Sequence, residues 1–171
     1  AVPSTYNQPG HSHYSRILSF TAGLFTRLDP RFSPASSARR DPLLRNSQNQ
    51  PAQVGRFHAD HIVPFNKIIQ MAGFDRLSPT QQRAVVQWIK NFAFISESAN
   101  TSRGDNHYMN WQLGNELSGQ GLRIFEPARQ LIGAEQVRLE GEIRTIISDM
   151  AAANAANPAN ATVIHPDLLA P

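Results

Sequence analysis

Apolar residues near the start of the chain recur at the spacing of a helix. Between residues 13 and 28 they are Ile17, Leu18, Ala22, Phe25 and Leu28. This spacing places the side chains on one side of a helix, so the pattern predicts a helix over 13–28. Residues 1–12 are rich in Pro, Gly, Ser and His and predict a flexible end. Residues 42–53 are mostly polar and predict an irregular segment.

Two short β-prone segments frame the middle of the chain. The first is GRFHADHIVPF, residues 55–65, in which Pro64 ends the pairing of a strand because proline has no N–H to donate. The second is FAFIS, residues 92–96, and the polar residues after it predict a short helix or a tight turn. Together they predict strand, connection, strand and short helix in that order.

Between these strands the pattern changes to that of helices. The stretch NKIIQMAG predicts a short helical segment closed by Gly73. Residues 78–90 carry a clear helix start, because Ser78 supplies a capping hydroxyl and Gln81 completes a capping box. The connection between the two strands therefore contains an inserted helix.

The last third of the chain predicts one long helix. A glycine-rich connection with β character over 113–125 precedes a helical pattern over about 127–154, with a break near Gly133. Small residues over 155–171 predict a second flexible end. The whole pattern indicates a single α+β domain, mainly helical, over 1–171.

Composition narrows the possible functions. A chain of 171 residues with 40% hydrophobic and 17% charged residues is typical of one globular domain. The absence of cysteine excludes disulfides, a thiol nucleophile and zinc sites built on Cys. No apolar run approaches the roughly 18 residues of a membrane span, so no membrane partner is predicted. The start at Ala1, without an initiator Met, predicts a domain cut from a longer chain or a processed product.

Basic residues are concentrated in the N-terminal part of the chain. Residues 1–60 carry seven Arg against three acidic residues, whereas residues 106–171 carry four Arg against seven acidic residues. The forked guanidinium of Arg suits phosphate. The distribution is typical of a polyanion ligand such as DNA on one face, and equally of a solvated surface of mixed charge. The candidate nucleic-acid contacts are Arg39, Arg40, Arg56 and Lys67.

Polar side chains with complementary chemistry are mixed into the two predicted strands and the turn that follows them. Asp60 and Asn100 offer the hard oxygen ligands that Mg²⁺ or Mn²⁺ prefers. His61 titrates near neutrality and is suited to deprotonating a water molecule. Arg103 lies three residues after Asn100, on the same side of a helical turn, where a cation neutralises a phosphate. These residue types are those that phosphodiester hydrolysis needs.

At these residues the sequence resembles the HNH endonucleases. Their ββα-metal motif is a strand, a loop, a second strand and a short helix, and it carries an Asp-His pair and Pro, then Asn, Asn and a basic residue. The stretches ADHIVPF and NFAFISESANTSRGD match that order. The resemblance covers about 56–105 and is closest to the Asp-His…Asn…Asn subtype. The connection between the strands is longer than the family's, because it includes the inserted helix.

The resemblance implies a role for each matching residue. Asp60 and Asn100 hold the metal, Mg²⁺ or Mn²⁺, and His61 is the general base. Asn91 orients the loop, and through it the ring of His61, by backbone hydrogen bonds. Arg103 meets the phosphate. His58 and His107 are possible additional site residues by their position beside the motif.

The function expected from this resemblance is metal-dependent cleavage of DNA. No element that reads base sequence is evident, which favours a nonspecific nuclease. Such a nuclease is expected to be the toxic domain of a larger bacterial effector, acting in the cytoplasm after delivery and inhibited by a cognate immunity protein.

Three other functions fit the same residues. A restriction or homing nuclease would place sequence specificity in the flanks of the motif. A nucleic-acid-binding module would keep the fold without catalysis. A structural domain would use its Arg-rich loop only to bind an acidic partner. Cleavage of plasmid DNA on addition of metal separates the nucleases from the last two.

Overall fold

The structure of the chain is a computed structural model that describes residues 3–29, 40–53 and 55–169. The helices in these ranges are α1 (Ser12–Phe25), α2 (Phe65–Ile69), α3 (Pro79–Val86), α4 (Glu97–Arg103), α5 (Asn115–Gly119), α6 (Glu126–Ala156) and α7 (Pro166–Leu169). The strands are β1 (Arg40–Arg45), β2 (Pro51–Gln53), β3 (Phe57–His61), β4 (Phe92–Ser96) and β5 (Arg123–Ile124). This mixed α+β fold is mainly helical, which confirms the predicted coarse class.

The segment predicted to be irregular, 42–53, forms most of an antiparallel hairpin. Strand β1 pairs with β2 on one side and with β5 on the other, in the order β2-β1-β5. The turn is closed by the Asn46 side chain, whose Oδ1 accepts hydrogen bonds from the backbone N–H groups of Gln48 and Gln50, both at 3.0 Å. Leu43 and Leu44 are buried in the main core. Polar composition was misleading here because side-chain capping and long-range strand pairing stabilise the segment.

A buried carboxylate joins this sheet to the start of α4. Asp41 accepts hydrogen bonds from the backbone N–H groups of Leu43 at 2.7 Å and Leu44 at 3.3 Å, and also from the Ser96 hydroxyl. The Ser96 oxygen in turn caps α4 by accepting from the Ala99 N–H. Burial raises the pKa of Asp41 to about 6. One side chain therefore positions the first turn of the helix that carries Asn100.

Strands β3 and β4 form a separate two-stranded sheet, and α4 follows β4 without a gap. The pairing is antiparallel, with Asp60 opposite Ala93 and His61 opposite Phe92. Between the strands lie α2 and α3, as the sequence predicts. The predicted capping box at the start of α3 is present in full. Helix α3 ends at Val86, earlier than predicted, and the extended backbone at Trp88 buries that side chain in the core.

Helix α6 runs for 31 residues without the break predicted at Gly133. A Cβ atom at Gly133 would lie 2.7 Å from the Met109 sulfur, so this glycine serves close packing of α6 against the turn before it. The buried face of α6 includes Ile132, Leu139 and Ile143. Within the described ranges, no helix combines the length and the apolar character needed to cross a bilayer.

Both ends of the chain differ from the flexible ends that their composition predicts. The Tyr6 side chain is buried, its hydroxyl donates to the Gln87 carbonyl at 3.2 Å, and Asn7 accepts from the Ala59 N–H at 2.8 Å. At the other end, residues 160–163 contact the start of α3, where the Gln81 amide donates to the Val163 carbonyl at 2.8 Å. Both segments are held by contacts with residues distant in sequence, which composition does not reveal.

Candidate active site

The contact between β3 and α4 brings four of the predicted site residues together. Alternation along a strand places His58 and Asp60 on one face of β3, and helical spacing places Asn100 and Arg103 on one side of α4. The Asn100 amide nitrogen lies 3.5 Å from His58 Nδ1, and Arg103 Nη1 lies 2.6 Å from Asp60 Oδ2. Strand and helix thus meet in two neighbouring side-chain pairs.

Arg103 is the most enclosed member of this group, with no exposed surface. Its guanidinium donates to the carbonyl oxygens of His61 at 2.8 Å, Ile62 at 2.7 Å and Asn106 at 2.8 Å, besides Asp60. The cation also lies 3.8 Å from the ring centre of Tyr108. The expectation that Arg103 neutralises a substrate phosphate does not match this position. Its donors are already engaged inside the protein, because pairing with Asp60 draws it inward.

The two carboxylate oxygens of Asp60 differ in their contacts with the rest of the protein. Oδ2 accepts from Arg103 and, at 2.5 Å, from the Tyr108 hydroxyl. Oδ1 has no hydrogen-bond partner among the described residues, and 8% of the side chain is exposed. Burial raises the pKa of Asp60, and the positive charge of Arg103 opposes that rise. One oxygen is therefore left for a ligand at the edge of the buried pair.

These donors suit one class of metal ion. Mg²⁺ takes oxygen ligands, retains several of its waters and needs only one or two protein side chains. Asp60 Oδ1 and the Asn100 amide oxygen meet that requirement. In the ranges that the structure describes, no three His, Cys, Asp or Glu side chains form a group able to hold a metal. The donor set fits Mg²⁺ or Mn²⁺ better than Zn²⁺, which prefers four nitrogen, sulfur or carboxylate ligands.

Two residues outside the predicted motif, Tyr108 and Gln136, hold Asp60 and its partner Arg103 in place. Tyr108 follows α4, and burial raises its pKa well above its ordinary value, so its hydroxyl keeps the proton that it donates to Asp60. Gln136 on α6 accepts from the Tyr108 backbone N–H at 3.0 Å and from Arg103 at 3.4 Å. No spacing in the sequence signals either residue, because the contacts span 48 and 33 positions.

Removing the Tyr108 hydroxyl is expected to destabilise the fold measurably. Tyr108→Phe should lower the free energy of unfolding by about 1.5–3 kcal/mol, the contribution of a hydrogen bond to a charged group. Urea denaturation measures this change. The matched control is Tyr14→Phe, since Tyr14 packs on Phe94 and makes no side-chain hydrogen bond within the described part of the chain. Equal stability of the two variants would show that the Tyr108–Asp60 contact contributes nothing.

His61, the neighbour of Asp60, faces the opposite side of the sheet. Its Nε2 lies 2.8 Å from the Val86 carbonyl, and its ring lies 4.4 Å from the Phe92 ring. A carbonyl only accepts hydrogen bonds, so Nε2 carries the proton and Nδ1 is the basic nitrogen. Burial lowers the pKa of His61 to about 4. The ring is thus neutral at pH 7, with its tautomer set by the end of α3.

Asn91 makes the backbone hydrogen bonds expected of it. Its side chain is fully buried, accepts from the Val63 N–H at 2.8 Å and donates to the Val63 carbonyl at 3.0 Å. Its own carbonyl accepts from the Ile62 N–H at 2.9 Å. These contacts hold the chain directly after His61, whereas the His61 ring itself is oriented by Val86.

His58 has a second neighbour, and the remaining candidate residues make contacts outside the group around Asp60. His58 lies 3.9 Å from Glu97, a residue not predicted for the site, and His107 caps the turn at Tyr108–Asn110 through Nδ1. Among the predicted nucleic-acid contacts, Arg40 donates to the Pro51 carbonyl, Lys67 pairs with Glu140 at 3.0 Å and Arg56 is exposed. Arg39 lies outside the described residues. Of the described basic residues, Arg40 and Lys67 are thus each engaged with a group of the protein itself.

Comparison of the chain with protein-family models, with curated proteins and with solved structures finds no match.

Proposed function

We propose that this chain is a metal-dependent endonuclease that hydrolyses the phosphodiester bonds of DNA. One observation carries the proposal: in the unit β3-β4-α4, helix α4 sets Asn100 beside the strand face on which Asp60 keeps a free carboxylate oxygen. The order of elements and the residues at this contact agree with the ββα-metal arrangement that the sequence resembles.

The metal would be held by Asp60 Oδ1 and the Asn100 amide oxygen. When bound, Mg²⁺ or Mn²⁺ supplies charge stabilisation at the phosphate and its leaving oxygen. Arg103 and Tyr108 act on the site through Asp60, since both donate to Oδ2 and leave Oδ1 as the oxygen available for binding. Arg103 therefore enters the proposal as a positioning residue instead of a phosphate ligand.

His61 is the proposed general base. Because the Val86 carbonyl holds the proton on Nε2, the Nδ1 lone pair is the atom that accepts a proton from the attacking water. Burial keeps the ring neutral at physiological pH, and the same lowering of its pKa makes Nδ1 a weaker base than an exposed imidazole. The His61 ring lies on the strand face opposite Asp60, so the proposal requires the attacking water to lie at the end of β3, between the two faces. His61 is the last residue of that strand, and Asn91 holds the residues that follow it.

DNA is the proposed substrate because the chain is basic, with a formal net charge of +3 and mostly Arg among its cations. Contacts to the phosphate backbone carry no sequence information, so the cleavage is proposed to be nonspecific. A nonspecific nuclease damages the cell that makes it. The proposal therefore extends to the toxic domain of a larger bacterial effector that acts in the cytoplasm, with a cognate inhibitor protein as a further partner.

Plasmid cleavage under metal control tests the proposal. We expect nicking to be abolished by EDTA and restored by Mg²⁺ or Mn²⁺. Asn100→Ala should abolish the Mg²⁺-dependent nicking while Asn110→Ala, a change at an exposed asparagine outside the site, should not. Restoration by Zn²⁺ or Ni²⁺ alone would identify imidazole ligands such as His58 or His107. DNA binding without cleavage under any of these metals would identify a binding module instead of an enzyme.

A further inference from the structure

A cleft with a volume of about 450 Å³ separates the second half of α1 from α6 and lies beside the end of the β3–β4 sheet. Its walls come from α1, from the residues around the start of β4 and from α6. Its basic and acidic lining residues are Arg27, Lys90, Glu135 and Arg138. None of these was predicted to bind nucleic acid.

The cleft has two cations that the protein leaves available. Arg27 is exposed, and Lys90 is half-buried with its ammonium 5.9 Å from the centre of the Trp88 ring. Neither makes an ion pair within the described part of the chain. Arg138, in contrast, pairs with Glu135 at 2.5 Å and with Glu142 at 2.7 Å. The lining thus carries three basic side chains and one acidic side chain. The excess positive charge indicates an anionic ligand.

The rest of the cleft is apolar and includes an aromatic ring. Its lining includes Leu24, Phe92, Ala93 and Leu131, and Phe20 on α1 is 38% exposed at its edge. A simple inorganic anion would not need this surface. An exposed ring beside available cations is the combination with which proteins bind single-stranded nucleic acid, because bases stack on the ring and phosphates contact the cations.

The position of the cleft relates it to the candidate active site. Ile62, the residue after His61, lines it, and so does Phe92, whose ring lies 4.4 Å from the His61 ring. The cleft thus lies at the end of the sheet, beside the residue that follows His61 and the two β4 residues that pair with His61 and Asp60.

We propose that this cleft binds a single-stranded segment of nucleic acid. Arg27 and Lys90 contact its phosphates, and Phe20 stacks on a base. The proposal that the cleft binds nucleic acid is argued from the residues of the cleft alone. The proposal that the bound strand is guided to His61 rests in addition on the proposed nuclease function. The phosphate contacts make the interaction dependent on salt, and the stacking makes it tolerant of sequence.

Fluorescence anisotropy of a labelled oligothymidylate in EDTA measures this binding without cleavage. The double variant Arg27→Gln/Lys90→Gln should bind more weakly and reduce the slope of log affinity against log salt by about 1.4, since each single-strand phosphate contact contributes about 0.7. Phe20→Ala should weaken binding about fivefold or more with the slope unchanged, because it removes stacking alone. All three changed residues are at least partly exposed, and circular dichroism verifies the fold of each variant.

The matched control is Arg76→Gln/Arg144→Gln, which removes the same charge from exposed positions outside the cleft. Equal weakening by both double variants would overturn the proposal, because net charge alone would then explain the effect. Displacement of the labelled oligothymidylate by polyglutamate at lower concentrations of charge than by unlabelled oligothymidylate would also overturn it, in favour of an acidic protein partner. Cleft-dependent binding without plasmid cleavage supports the cleft and contradicts the nuclease. Plasmid cleavage by a protein whose oligothymidylate binding is unaffected by the cleft variants supports the nuclease and contradicts the cleft.

Discussion

Replacing Arg103 with alanine is expected to lower the free energy of unfolding by about 3–5 kcal/mol, the cost of leaving a buried charge without its partner. The substitution removes the 2.6 Å ion pair with Asp60 and the donors to the carbonyl groups of His61 and Ile62. The carboxylate then stays buried with only the Tyr108 hydroxyl as a donor. Urea denaturation followed by circular dichroism measures the loss.

Two further variants determine what the Arg103 result means. Arg138→Ala removes a guanidinium that is 56% exposed and paired only at the surface, so it should cost at most about 1 kcal/mol. Arg103→Lys keeps the charge but lacks the forked donors, and it should recover only part of the loss. If Arg103→Ala is as stable as Arg138→Ala but turns over slowly at saturating DNA, the guanidinium faces the substrate as the sequence suggested.

Replacing His61 with glutamine is expected to reduce DNA cleavage by roughly 10²–10⁴-fold, the usual contribution of a general base. Glutamine keeps a side-chain N–H that can donate to the Val86 carbonyl, so the fold should be retained. It has no basic nitrogen, so it cannot accept the proton from water. The rate of plasmid nicking with Mg²⁺ at saturating DNA is the measurement.

The His61 result is interpretable only if binding is unchanged. Oligothymidylate affinity in EDTA and the urea midpoint of His61→Gln should both equal those of the wild type. His165→Gln provides the matched control, because His165 has no role in the proposed site and its Nδ1 accepts a hydrogen bond from the Asp167 backbone N–H. Wild-type nicking rates in His61→Gln would remove His61 from the mechanism, whatever the metal dependence shows.

The elements that the sequence predicted correctly are those specified by neighbouring residues. The capping box from Ser78 to Gln81 spans four residues and starts α3 as expected. Strands β3 and β4 follow from short apolar and β-prone runs, and Asn91 braces the loop because it lies directly before β4. The candidate residues Asp60, His61 and Asn100 stay predictions, made from the order of residues that resembles a known motif.

Contacts between distant parts of the chain decided the rest. The pairing of β1 with β5, the packed ends and the uninterrupted α6 all depend on partners that lie far away in sequence or across the core. The same holds within the site. Helical spacing correctly put Arg103 on the side of Asn100, but only the burial of Asp60 beneath α4 turned its guanidinium inward. Tyr108 and Gln136 became part of the site because folding brings the turn after α4 and the middle of α6 to the same buried carboxylate. A buried charge takes the partners that the assembled core offers it, and the sequence alone does not contain that arrangement.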